Sequence, residues 1–145
     1  MPRVVASTTI KRPVEEVWAV VGDPTNTPKW RDSLLSVEKT SDAPMRVGST
    51  FRGTGSMFGR HNRTEFTVAE VEVNRKLAVT TVTPFPFTIT LALEPADKGT
   101  RIRMIADMQP RGFFKLAQPI MMTMGKRNNQ NDLEKLRDLL ESGAL

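Results

Sequence analysis

The sequence predicts an α+β fold in which a curved antiparallel sheet of about seven strands wraps around a long C-terminal helix, with two short helices after the first strand. Three observations predict it. Residues 87–108 alternate apolar and polar on both sides of the turn Ala96-Asp97-Lys98-Gly99, so two adjacent strands share one apolar face. Val14, Val17, Trp18 and Val21 follow helical spacing directly behind Pro13. The run Gly112 to Glu141 is the one segment long and periodic enough to form a major helix.

Val4 to Lys11 comes first, with Val4, Ala6, Thr8 and Ile10 on one side of a strand. Pro13 suits the start of a helix, Glu15 and Glu16 place negative charge in its first turn, and Gly22-Asp23-Pro24 ends it. Pro24 to Trp30 has room for one or two turns and ends in a Trp expected to pack under the sheet. A meander follows. Ser33 to Thr40 reads as a strand, Asp42 to Gly48 as a turn, and Ser49 to Phe58 as a strand with Phe51, Gly53, Gly55 and Met57 on one face. Gly59 closes a hairpin into His61 to Val73, where Asn62, Thr64, Phe66 and Val68 are in phase. Val71 and Val73 have the opposite parity, which predicts a bulge near Ala69-Glu70. Asn74-Arg75 turns the chain into Lys76 to Thr83, and Pro84 and Pro86 bracket the next connection. Phe87, Ile89, Leu91 and Leu93 then oppose Thr88, Thr90 and Glu94, and Ile102, Met104, Ala106 and Met108 oppose Arg101, Arg103 and Asp107.

On the long helix, Phe114, Gln118, Met121, Met122, Gly125, Asn129, Leu133, Leu136 and Leu140 form one broad stripe. From Leu133 onward the stripe is ordinary core. Its first half carries Met, Gly and Asn, which fits either a helix covering a cavity or one partly lifted off the sheet. Pro119 predicts a kink or a helix start.

Residues 1–145 read as one domain, able to bury roughly 70% of its unfolded surface. Without Cys there is no disulfide or thiolate metal site. No uninterrupted apolar run reaches the length of a membrane span, and no secretory leader is visible, so a soluble cytoplasmic protein is expected. The net charge of +5 comes from dispersed residues, with no run of adjacent basic residues longer than a pair such as Lys126-Arg127, which argues against specific nucleic-acid binding. His61 is the only His and sits beside a hairpin, where a solvated role is the simpler reading. Glu65, Glu70 and Glu72 have no second His near them, so no metal is expected, and nothing calls for a cofactor. Gly53, Gly55 and Gly59 lack the Lys-Ser/Thr of a phosphate loop and are better read as bending the sheet and leaving room.

The stretch Ile10-Lys11-Arg12-Pro13-Val14-Glu15-Glu16-Val17-Trp18, Asp23-Pro24 followed by Trp30, Val47-Gly48-Ser49, and Pro119 followed by Asn131-Asp132-Leu133-Glu134-Lys135-Leu136 together resemble the START/Bet v1-like (SRPBCC) superfamily. Within it the chain is similar to bacterial polyketide cyclase/dehydrase-like proteins. The resemblance covers essentially the whole chain and implies a helix-grip fold enclosing a cavity. Its landmarks are structural, and no shared catalytic motif comes with them.

The resemblance, with mostly apolar inward residues, implies a hydrophobic small-molecule ligand between the sheet and the C-terminal helix. The expected lining is Phe51, Met57, Thr64, Phe66, Ile89, Leu91, Met104, Met108, Met121, Gly125 and Asn129, with Asn62 as a further polar handle. A bulky side chain at Gly125 is expected to fill the cavity. Two other functions stay open: a cyclase/dehydrase-type enzyme using the same cavity, and an interaction module with a basic surface. For family cyclases the resemblance implies Tyr, Arg, Ser or Asn in the cavity. This chain has no Tyr, and Arg52, Arg63, Arg101 and Arg103 are expected on the outer face, which leaves Arg31 and Arg127 as candidates for an inner cation. Ligand identity, oligomeric state and catalytic residues stay open.

Overall fold

The computed structural model describes residues 3–41, 44–57, 60–82 and 85–145, and only the backbone of Met57 and Arg60. Strand β1 (Arg3–Ile10) leads into helix α1 (Val14–Val21) and a 3-10 helix (Pro24–Lys29). Then come β2 (Leu34–Lys39), β3 (Thr50–Met57), β4 (Arg60–Glu72), β5 (Lys76–Thr81), β6 (Phe87–Ala96) and β7 (Gly99–Met108), followed by α2 (Phe113–Leu116) and α3 (Gln118–Glu141). The seven strands form one antiparallel sheet in the order β1-β7-β6-β5-β4-β3-β2. The expected architecture is therefore present, with β1 and β2 at the two edges.

Register explains the single apolar face. Leu91 lies opposite Met104 and Leu93 opposite Ile102, while Ala6 of β1 pairs Met104 from the other side. All five are buried. The expected bulge in β4 is seen as a register shift between Val68 and Glu70. A second shift, between Leu34 and Ser36 of β2, has no signal in the sequence. Asn74 and Lys98 both turn with φ near +64°, consistent with their tight hairpins. The expected turns at Asp42 and Gly59 and the bend at Pro84 fall at least partly outside the described residues.

Helix α1 starts behind Pro13 and has Glu15 and Glu16 in its first turn, as the dipole favours. Asp23 starts the 3-10 helix, its side chain accepting from the Thr25 N–H at 3.0 Å. Trp30 ends that helix only 1% exposed, in a core with Ile10, Val17, Val21, Ile102, Leu133 and Leu136. A smaller cluster of Phe51, Val68 and Leu77 lies farther along the sheet.

The long C-terminal helix is interrupted. In a continuous helix the ring of Pro119 would clash with the carbonyl of Lys115, and Pro119 has no N–H to give. The chain accordingly breaks at Ala117, and Pro119 falls in the first turn of α3, the helix start its sequence position predicts. Helix α3 packs along the edge strand β1. Gln130 Nε2 donates to the Ser7 carbonyl at 2.9 Å and its Oε1 accepts from the Ser7 N–H at 3.3 Å. Just beyond the strand, Glu141 Oε2 accepts from the Lys11 N–H at 2.9 Å. These side chains satisfy backbone groups that an edge strand leaves open.

Candidate functional site

A cavity of about 770 Å³ opens over the β3–β6 part of the sheet, beside the main core, with which it shares Val21, Trp30 and Leu91. Phe51, Phe66, Leu77, Val79, Ile89 and Leu91 form its sheet side. Trp30, Arg31 and Leu34 close one flank, and Phe113 and Phe114 of α2 border another. Gly53 allows Phe66 to lie flat across the neighbouring strand, since a Cβ there would meet the Phe66 ring at 2.7 Å. Gly55 itself borders the cavity, so Gly53 leaves room for the Phe66 ring and Gly55 for the cavity.

Of the residues expected to line a cavity, Phe51, Thr64, Phe66, Ile89 and Leu91 border this one, as does Asn62. Met104, Met108, Met121, Gly125 and Asn129 do not, and the Met57 side chain is outside the described residues. The space is thus bounded by the sheet, the 3-10 helix and α2, and no residue of α3 borders it. The reason is where α3 packs. Bound to the β1 edge, it covers the β7 end of the sheet, so Met104 is fully buried in solid core. At Gly125 a Cβ would meet nothing within 4 Å, and a bulky residue there has no cavity to fill. Of the two readings of the Met-rich half, the helix lifted off the sheet is the one seen.

Arg31 is the inner cation. Its side chain is 13% exposed and borders the cavity. Arg31 Nη2 donates to Asn129 Oδ1 and Nη1 to Met104 Sδ, each at 3.2 Å. Asn129 therefore stands behind the arginine and acts on the cavity only through it. Arg31 Nε lies 3.4 Å from Asp132 Oδ2, an ion-pair distance, yet is buried without a hydrogen bond among the described residues. Arg127 is exposed, and Arg63, expected on the outer face, is exposed but also borders the cavity, where it pairs with Thr54 of β3.

Burial dominates the electrostatics of this pair. It lowers the Arg31 pKa against the attraction of Asp132, and raises the Asp132 carboxyl although Arg31 pulls the other way. Arg31 still keeps its charge at neutral pH, as arginines do. A guanidinium held by one amide oxygen and one thioether keeps donor capacity for a ligand carbonyl or carboxylate.

Besides lining residues such as Leu77, Val79 and Phe113, sequence reasoning missed Asp132. It sits three positions after Asn129 on α3, so both project from one helix face toward Arg31. That spacing was readable, but the partner lies about a hundred residues away in the chain. Among the described residues no group of three or more His, Cys, Asp or Glu converges on a possible metal site. His61 is exposed and does not border the cavity.

The family model described as polyketide cyclase/dehydrase and lipid transport matches residues 1–141. Among curated proteins, none matches the chain in sequence. Among solved structures, TTHA0849 from Thermus thermophilus superposes with a TM-score of 0.80 at 17% identity, covering 99% of this chain and 100% of that one. The Zhui aromatase/cyclase from a Streptomyces species superposes with a TM-score of 0.78 at 15% identity, over 99% of this chain and 96% of that one. Ara h 8.0201 superposes with a TM-score of 0.64 at 16% identity, over 93% and 97%. At these identities the likeness speaks for the fold, a Bet v1-like helix-grip arrangement. Matched by that family model over residues 1–141, the chain belongs to the polyketide cyclase/dehydrase and lipid transport family.

Proposed function

We propose that this protein binds a hydrophobic small molecule of lipid or polyketide type in the β3–β6 cavity, with Arg31 holding a carbonyl or carboxylate at one end. One observation carries the reading: a mostly apolar cavity of about 770 Å³ with a buried cation on its wall. Small-molecule sites commonly combine apolar walls with a few placed polar groups. Binding draws on apolar burial at about 25 cal/mol per Å², from which the costs of ordering are subtracted. Thr64, Asn62 and Ser56 on the rim add weaker hydrogen bonding.

The test has two stages. Native and denaturing mass spectra of the purified protein reveal any co-purified apolar compound. Titration with anilinonaphthalene sulfonate, an apolar probe bearing an anion, then locates the site. Thr64→Trp is expected to block probe uptake and Arg31→Met to weaken it at least about tenfold, the loss of one charge-assisted bond. Gly125→Trp, outside the cavity, should leave uptake unchanged. Full uptake by the Thr64 variant would place the site elsewhere.

A second reading, a cyclase/dehydrase-type enzyme in the same cavity, is favoured by the inner position of Arg31. Its guanidinium could polarise a substrate carbonyl where negative charge develops. Conversion of a polyketide-like substrate, followed by mass spectrometry, separates the readings. In the enzyme, Arg31→Met reduces kcat more than it raises KM; in a carrier, substrate mass never changes.

A further inference from the structure

The first half of α3 and the short α2 carry the largest group of exposed apolar side chains near the cavity. Phe113 and Leu116 lie one turn apart on α2, and Ile120 and Met124 one turn apart on α3. They are 70%, 85%, 67% and 53% exposed, so folding leaves them unburied. Arg127, three residues after Met124, continues the α3 stripe with a cation. The whole segment 109–131 contains Arg111, Lys115, Lys126 and Arg127 and no Asp or Glu. All four cations are exposed, and none is in an ion pair among the described residues. The flanking acids are committed: Asp107 to Arg3 at 2.7 Å, and Asp132 to Arg31.

From this coincidence of an unburied apolar stripe with uncompensated positive charge, we infer that α2 and the first half of α3 dock on an anionic lipid bilayer. Apolar side chains enter the headgroup boundary while Lys and Arg beside them meet lipid phosphates. A second copy of the chain is a poor occupant, because it would set one uncompensated basic segment against another. No helix among the described residues is long and apolar enough to span a membrane, so the contact is peripheral. Phe113 belongs both to the exposed stripe and to the cavity border, so docking brings the cavity mouth to the lipid surface. That last consequence rests on the proposed ligand reading, whereas docking itself does not.

Co-sedimentation with vesicles tests docking without any ligand. The protein is expected to pellet with phosphatidylcholine vesicles containing phosphatidylglycerol, and to stay in solution with phosphatidylcholine alone. Leu116→Glu/Ile120→Glu should reduce partitioning at least about tenfold, since both apolar insertions are lost. Lys126→Gln/Arg127→Gln should reduce it about thirtyfold, near fivefold for each basic residue. Lys29→Gln/Lys98→Gln, a change of equal charge elsewhere, should alter it little. All altered side chains are exposed, and circular dichroism verifies the fold of each variant. Absence of binding to anionic vesicles overturns the inference, as does wild-type binding by the Glu variant or equal binding to neutral vesicles. Concentration-dependent dimerisation abolished by the same Glu variant would overturn it in favour of a contact between copies.

Discussion

The two halves of α3 share one helix but have opposite environments. In the C-terminal half, Leu133 and Leu136 are fully buried and Leu140 nearly so, packed with Trp30, Val17 and Ile102. In the N-terminal half Ile120 and Met124 stand in solvent, and a Cβ at Gly125 would meet nothing within 4 Å. The boundary falls at Asn129, Gln130 and Asp132, which hold Arg31 and the β1 edge. One continuous backbone thus anchors the fold at one end and presents a free surface at the other. Regular secondary structure alone says nothing about which end does which.

The largest expected effect is a direct contrast of the halves. Leu136→Ala should lose about 2–5 kcal/mol in urea denaturation, the cost of a core cavity, while Ile120→Ala stays within about 0.5 kcal/mol. Similar losses at both sites would mean that the free half packs in solution.

The boundary gives the next effect. Because burial outweighs attraction in the Arg31 and Asp132 pair, the double replacement Arg31→Met/Asp132→Leu is expected to be neutral or to gain up to about 4 kcal/mol at neutral pH. The pH dependence has a definite sign. Folded Asp132 keeps its proton to higher pH than it does in the unfolded chain, so its contribution is most favourable below the ordinary carboxylate range. That contribution declines as pH rises from there through the raised folded value. Asp132→Asn should remove the decline from urea midpoints measured across the acid range; an unchanged slope would remove Asp132 as its source.

Smaller effects sharpen the boundary further. Gln130→Ala should cost about 1 kcal/mol and speed amide exchange at Ser7, whose N–H it leaves to solvent. Gly125→Ala should stabilise by about 0.5–1 kcal/mol, since helix propensity improves and the new methyl meets nothing. A loss at Gly125 would show contacts there that the structure lacks.

Much of the fold was legible in particular residues. The alternation through Phe87 to Met108, the Pro13 helix start, the slip near Ala69-Glu70 and the break at Pro119 each act over a few residues, and each is found where expected. Half of the candidate site was legible for the same reason. Phe51, Thr64, Phe66, Ile89 and Leu91 share the inward phase of their strands, and strand phase is local. The α3 residues were misplaced because helical phase says which face a residue occupies, not what lies opposite it. Met121 and Gly125 carry the same signal whether they roof a cavity or face water.

By itself, then, the sequence determined the elements, their inward faces and the α+β class, because backbone sterics, capping and apolar periodicity operate within a few residues. Tertiary structure decided that α3 binds the β1 edge rather than covering β3–β6. It also decided that Arg31 meets Asn129 and Asp132 at the cavity wall, and that Ile120 and Met124 stay exposed. Those outcomes depend on which distant groups compete for the same surface, and no local pattern records that competition.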